Sequence, residues 1–229
     1  MTSPVPYILL INPNSSVATS RMMRDIAQRA AGARMTVVDA TAVRSPAMII
    51  TAEELAASAA EVVEIGTAYL AAHGDTCAGI IVAAFGDPGL EALRARVAVP
   101  VAGICEASTQ AAAHGGRRFA VATVTPDLVA SISAAAARLG LAGLFTGTRV
   151  SGGDPRALAQ EPERLVAALG YLVHACIADD GAQAVIIGGG PLGEAAETLQ
   201  PLFSVPVIAP IRCAVDLLLE QIAAPAEAS

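Results

Sequence analysis

Short apolar runs alternate along this chain with longer, alanine-rich stretches whose apolar positions recur every three or four residues. A run that is apolar at every position suits a strand covered on both faces, the condition of a parallel sheet between helices. Such runs predict strands at about 7–12, 35–39, 79–84, 100–104, 118–123, 184–188 and 206–209. The stretches between them predict helices, among them 17–31, 52–73, 88–96, 106–114, 127–139, 156–179 and 210–222. Alternating strand and helix implies an α/β fold with parallel strands and right-handed crossovers.

The pattern also repeats. "YILLINPNSS", from Tyr7, is matched by "FAVATVTPDL", from Phe119: a strand, then a polar turn with a proline. "GIIVAAFGDPGLEAL", from Gly79, is matched by "AVIIGGGPLGEAAETL", from Ala184. "VPVAGICEAS", from Val99, is matched by "VPVIAPIRCA", from Val205. Three pairs in one order indicate two copies of one unit. The repeat predicts two pseudo-symmetric, Rossmann-like parallel-sheet domains, residues 1–105 with 208–229, and residues 106–207. Ligands of open α/β sheets bind beyond the carboxyl ends of the strands, and clefts between units are favoured places. The expected active site is therefore interdomain and built from paired turns.

Those turns supply the candidate residues. Asn12, Asn14 and Ser15, with Ser16, follow a strand and precede a helix, so they either form a turn and N-cap or donate to a substrate carboxylate. Ala84, Phe85 and Gly86 lead into Asp87, which caps the next helix or serves as an acid–base group. Gly188, Gly189 and Gly190, ahead of a proline, let the main chain approach a ligand closely. Thr123 and Thr125 either offer hydroxyls to the ligand or cap a helix. Cys105 is a buried small residue or a nucleophile, and Glu106 a helix-end charge or a general base. Arg212 holds the equivalent place in the second copy and can pair with Glu106 or with a substrate carboxylate.

Composition narrows the partners. The net charge is −7 and no Lys/Arg run exists, which argues against nucleic acid and anionic membrane surfaces. Tryptophan is absent and aromatics make up 3%, which argues against a base-stacking platform. No uninterrupted apolar run reaches the roughly 18 residues of a membrane span. Four widely spaced cysteines without a CxxC pair, and an N-terminus without an export signal, suggest reduced thiols in the cytoplasm. No His/Cys/Asp cluster has metal-ligand spacing, and "GGGPLG" is not a dinucleotide fingerprint. The expectation is a cytoplasmic homo-oligomer acting on a small-molecule substrate, with no cofactor and no metal.

"INPNSS", "FGDPGL", "PVAGICEAS" and "RRFAVAT", in this order, resemble the aspartate/glutamate/hydantoin racemase superfamily, and within it the hydantoin and allantoin racemase branch. The resemblance spans essentially the whole chain. It implies two pseudo-symmetric α/β halves around a shared site, and a cofactor-independent enzyme acting beside the carbonyl of a small amino-acid derivative. It also implies two cysteines, one from each half, that take and return a proton on opposite faces of the substrate. The matching positions here are Ala84 and Gly189, and neither can carry a proton. Cys105 matches a position that is sometimes cysteine in the branch but is not one of the pair. The resemblance thus implies a cyclic amide or amino-acid-derived carboxylate as substrate. The lost thiols point to hydrolase or lyase chemistry through Glu106, Asp87 or a water. Isomerisation through Glu106 or Cys105, and a silent small-ligand-binding protein, are the alternatives.

Overall fold

A computed structural model describes residues 6–224. The first sheet holds β1 (Tyr7–Asn12), β2 (Thr36–Thr41), β3 (Cys77–Val82) and β4 (Val101–Gly103) in the order β2-β1-β3-β4. The second holds β5 (Phe119–Thr123), β6 (Phe145–Val150), β7 (Ala184–Ile187) and β8 (Val207–Ile208) in the order β6-β5-β7-β8. Every pairing is parallel, and the two orders are the same topology with strand numbers raised by four. Two parallel sheets flanked by helices are the architecture that the repeat predicts.

The helices are α1 (Val17–Ala31), α2 (Ala52–His73), α3 (Leu90–Arg94), α4 (Ile104–Ala113), α5 (Val129–Arg138), α6 (Pro155–Leu158), α7 (Pro162–Ala178), α8 (Gly193–Leu199) and α9 (Pro210–Ala223). The central strands carry the cores: Ile8, Leu9, Leu10 and Ile11 of β1 are fully buried, as are Val185, Ile186 and Ile187 of β7. Each such side chain contributes about 1.5–3 kcal/mol by leaving water. Alternate residues face opposite layers. Leu9 and Ile11 pack with Val62 and Leu93, whereas Ile8 and Leu10 pack with Met23, Ile26 and Leu218.

The chain changes sheet across α4, which packs on α9, β7 and α5. It returns through α9, which lies on β3, β4 and α1. A third core joins the two sheets: Leu55, Phe85 and Cys105 meet Phe119, Val121, Leu128 and Ile186.

Three elements depart from the pattern reading. The edge strand β6, "FTGTRV", is half-buried throughout and has no apolar run to announce it. The helix expected over 156–179 is two, α6 and α7, because Pro162 has no N–H to continue a helix and instead opens α7 at its first turn. The helix expected from 106 begins at Ile104. One described helix, α2, is long and apolar enough by length and composition to cross a membrane. It lies against β1 and β3 and carries the buried Glu61.

Candidate active site

At the carboxyl ends of the strands, turns from both sheets enclose a cavity of about 330 Å³. The turn after β1 enters it with Asn14 and Ser16, followed by Thr19 and Met22 of α1; the turn after β3 brings Ala83, Ala84 and Phe85. From the second sheet come Thr123, Val124 and Thr125 after β5, and Gly188, Gly189 and Gly190 after β7. The paired turns of the repeat therefore face one space. At their junction an added side chain has no room: a Cβ on Gly190 would stand 2.6 Å from the sulfur of Met23 and 3.0 Å from the carbonyl oxygen of Ala83.

Local hydrogen bonds explain the turn after β1. Asn12 is fully buried. Its side-chain amide donates to Asn14 Oδ1 (2.9 Å), Ser20 Oγ (2.9 Å) and the Ser16 carbonyl (3.2 Å), and its Oδ1 accepts from the Asn14 N–H (3.1 Å). Asn14 Oδ1 also accepts from the Ser16 N–H at 2.9 Å. Ser16 in turn caps α1 by accepting from the Thr19 N–H. Asn12 is thus committed to folding the turn and does not line the cavity. Asn14 does, and among the described residues its Nδ2 donates to no protein acceptor. Ser15 does not line it either, and donates its N–H to the carbonyl of Pro46 (3.1 Å).

In the second sheet Thr123 donates its hydroxyl proton to the Gly188 carbonyl at 2.7 Å and lies 3.2 Å from the hydroxyl of Thr125. One hydroxyl has one proton, so Thr125 is the donor between the two. This ties the turn after β5 to the turn after β7 and leaves the Thr125 lone pairs open. Among the described residues, no protein acceptor takes the main-chain N–H of Ala84, Phe85, Val124 or Thr125, all of which line the cavity.

The residues expected to carry acid–base chemistry are elsewhere. Asp87 is buried and accepts the N–H groups of Cys105 (2.8 Å) and Glu106 (2.7 Å). It caps α4 rather than the helix that follows it. Asp87 sits at φ +53, and Gly86 before it at φ +124, where a Cβ would meet Leu55 at 2.6 Å. Burial pushes the Asp87 carboxyl up to about 7 against the pull of those two N–H groups; the charge of Glu106 adds to the rise and that of Arg138 opposes it. Cys105 is buried in the core between the sheets, and desolvation holds its thiol far above the ordinary range, with the Asp87 charge adding to it. Glu106 forms an ion pair with Arg94 at 2.6 Å, not with Arg212. The Arg212 side chain is 66% exposed and stands 3.9 Å from Asp216 on α9. None of Gly86, Asp87, Cys105, Glu106 and Arg212 lines the cavity.

Because α4 begins at Ile104, Cys105 and Glu106 belong to its first turn, where Asp87 takes their N–H groups, the thiol enters the core between the sheets and the Glu106 carboxylate turns to Arg94. Sequence reasoning missed the opposite wall: Met48 and Ile49 from the loop after β2, and Ala159 and Gln160 from the segment after β6. Both follow an edge strand in the two copies of the repeat.

Comparison with known proteins agrees with the architecture. The family model for Asp/Glu/hydantoin racemases matches residues 8–218. A hydantoin racemase of Rhizobium meliloti is 29% identical over 92% of this chain and 86% of its own length. One from Paenarthrobacter aurescens is 24% identical over 90% of this chain and 87% of its own. Among solved structures, allantoin racemase from Klebsiella pneumoniae superposes with a TM-score of 0.89 at 24% identity, covering 95% of this chain and 88% of that one. A liganded mutant of arylmalonate decarboxylase superposes with a TM-score of 0.72 at 18% identity, over 98% and 95% of the two chains. With two like-ordered parallel sheets, a cavity between their paired turns and a family match running nearly end to end, this chain belongs to the Asp/Glu/hydantoin racemase family.

Proposed function

We propose that the cavity takes a small carboxylate whose α-carbon also bears an amide or second carboxylate carbonyl, and that the chain acts on it without thiol or cofactor, by lyase chemistry in which carbon dioxide leaves. One observation supports this above the others: among the described residues, the cavity lining contains no Asp, Glu, His, Lys, Arg, Cys or Tyr. Racemisation needs a base on one face of the α-carbon and an acid on the other, and hydrolysis needs a base to activate water. The positions that the family resemblance gives to thiols are Ala84 and Gly189, and both line the cavity. Decarboxylation asks for neither base. The bond from the α-carbon to a carboxylate breaks, carbon dioxide departs, and the electron pair spreads onto the adjacent carbonyl oxygen. The α-carbon then takes its proton from water. What this reaction needs is a site that destabilises the carboxylate and holds the new oxyanion. The apolar side chains of Met22, Leu55 and Leu165 meet the first need, and the open N–H groups of Ala84, Phe85, Val124 and Thr125 meet the second.

The relatives bracket this reading: two are hydantoin racemases by name, and one structure of the same fold is by name a decarboxylase. The same lining also favours a second reading, a binding protein without turnover. One panel separates them. Substituted malonates, hydantoins and allantoin are incubated with the protein and followed by mass and by chiral chromatography. Loss of carbon dioxide from a malonate supports the lyase reading. Gain of one water, or racemisation at constant mass, overturns it. Saturable binding with no product establishes the binding protein.

A further inference from the structure

The loop between β2 and α2 has no regular structure, yet its main chain is held at both ends. Ala42 donates its N–H to the Asn12 carbonyl (3.0 Å), and the Pro46 carbonyl accepts from Ser15 (3.1 Å). The strongest ties run to α2. Glu61 accepts the N–H of Val43 (2.7 Å) and of Arg44 (3.1 Å), with the Ser45 hydroxyl at 3.4 Å and the Arg44 Nε at 3.8 Å. Glu54, two helical turns earlier on the same face, accepts the N–H of Ile50 (2.8 Å) and Thr51 (3.2 Å). Between these clamps lie Met48 and Ile49, which wall the cavity. The Glu61 side chain is only 6% exposed. Burial works against its charge, but the N–H groups of Val43 and Arg44, the Arg44 guanidinium and the Ser45 hydroxyl hold its carboxyl below the ordinary range. A charge buried beneath an irregular loop is an expensive device for a connection that any polar turn could make.

We propose that Glu61 is a positioning residue that fixes the Met48–Ile49 wall, and that this wall selects ligands bearing an apolar substituent. The selection rests on the proposed small-ligand reading of the cavity; the positioning role does not. Met48 and Ile49 bring apolar side chains to the cavity from this loop, whereas the hydrogen-bonding groups Asn14 and Thr125 belong to the strand-end turns. A ligand with a polar head at the turns therefore places its substituent against Met48 and Ile49. With the clamp gone, a ligand without a substituent loses little and a substituted one loses its wall.

The test uses the whole chain with Glu61→Gln, which keeps the shape and removes the charge, and Glu61→Ala. Hydrogen exchange is followed by mass spectrometry, and binding of hydantoin and 5-benzylhydantoin by calorimetry. Residues 42–50 should exchange about ten-fold faster in Glu61→Ala, less so in Glu61→Gln, while β1, β3 and α2 keep their protection, the effect of losing one or two charge-assisted bonds. Affinity for 5-benzylhydantoin should fall about ten-fold, with that for hydantoin changed by less than about two-fold. Unchanged exchange in both variants, or acceleration spread over the whole chain, overturns the positioning role. Local acceleration with both ligands weakened alike overturns the selection. Wild-type protein that binds neither probe rejects the ligand class and with it the selection, while exchange still decides the positioning role.

Discussion

Asp87 offers the sharpest quantitative test of how the site is held. Its carboxylate satisfies two N–H groups at the start of α4, and the turn it closes presents Ala84 and Phe85 to the cavity. Asp87→Ala leaves both donors without their acceptor. The Cys105 N–H is buried, and an orphaned buried donor costs about 1–3 kcal/mol. Alanine at φ +53 adds about 1–2 kcal/mol that aspartate and asparagine tolerate better. The sum is about 3 kcal/mol, and for a chain of this size each kcal/mol lowers Tm by roughly 2–4 °C, so a loss of about 6–12 °C is expected. Asp87→Asn keeps one acceptor oxygen and the turn preference, and should lose less than half as much.

The pH dependence distinguishes this account from simple loss of a side chain. The folded-state pKa of Asp87 is raised by burial from the ordinary 3.8 to about 7, so the folded protein holds the proton more tightly than the unfolded chain does. Stability from this group is full below pH 4 and is lost as pH rises to about 7, with a slope of at most about 1.4 kcal/mol per pH unit. Asp87→Asn lacks that slope. Calorimetric melts of wild type and both variants at several pH values between 5 and 8 should show the wild type losing ground to Asp87→Asn up to about pH 7, then running parallel. An Asp87→Ala Tm within about 1 °C of wild type, or a wild-type to Asp87→Asn difference that is flat with pH, refutes the reasoning.

Other substitutions probe the cavity. Gly190→Ala drives a methyl group against Met23 and the Ala83 carbonyl and should cost about 1–3 kcal/mol in urea unfolding, whereas Gly32→Ala, with open space at its Cβ, should show only the smaller strain of a positive φ. Thr123→Val breaks the bond to the Gly188 carbonyl and should cost about 1–3 kcal/mol by the same assay, because a buried acceptor is left unpaired. Ala84→Cys with Gly189→Cys should bring detectable α-proton exchange on a hydantoin, measured by NMR in heavy water. Gly189 sits at φ 164, which any residue adopts, and its Cβ would need Leu192 to yield by only a few tenths of an ångström from 3.0 Å. Each single variant should gain less than the double, since one face would lack its acid.

The fold is legible because burial on both faces forces β1, β3, β5 and β7 into continuous apolar runs, and because the repeat fixes their order. Only β6 escapes, since an edge strand covered on one side can be written with Thr, Gly and Arg. The site is half legible. The strand-end turns carry their glycines and hydroxyls openly, and Asn14, Thr123, Thr125 and Gly188 to Gly190 line the cavity. Asp87, Cys105, Glu106 and Arg212 lie outside the cavity lining, and residue type alone did not show it, because a carboxylate such as Asp87 after a strand serves a helix end as readily as a substrate. Asn12 lies outside the lining for a related reason: its amide is consumed in building the turn that presents Asn14. Met48, Ile49 and Gln160 are invisible locally, since loops that carry no motif reach the cavity only through tertiary structure.

That this cavity works without a protein thiol is tested most directly by isotope exchange. The protein is incubated in heavy water with a 2-substituted malonate and with a 5-substituted hydantoin, before and after cysteine alkylation. Carbon dioxide release from the malonate, one deuterium in the product at the α-carbon, an unexchanged hydantoin, and rates that alkylation leaves alone are expected. Washout of the hydantoin α-proton that alkylation abolishes would contradict it.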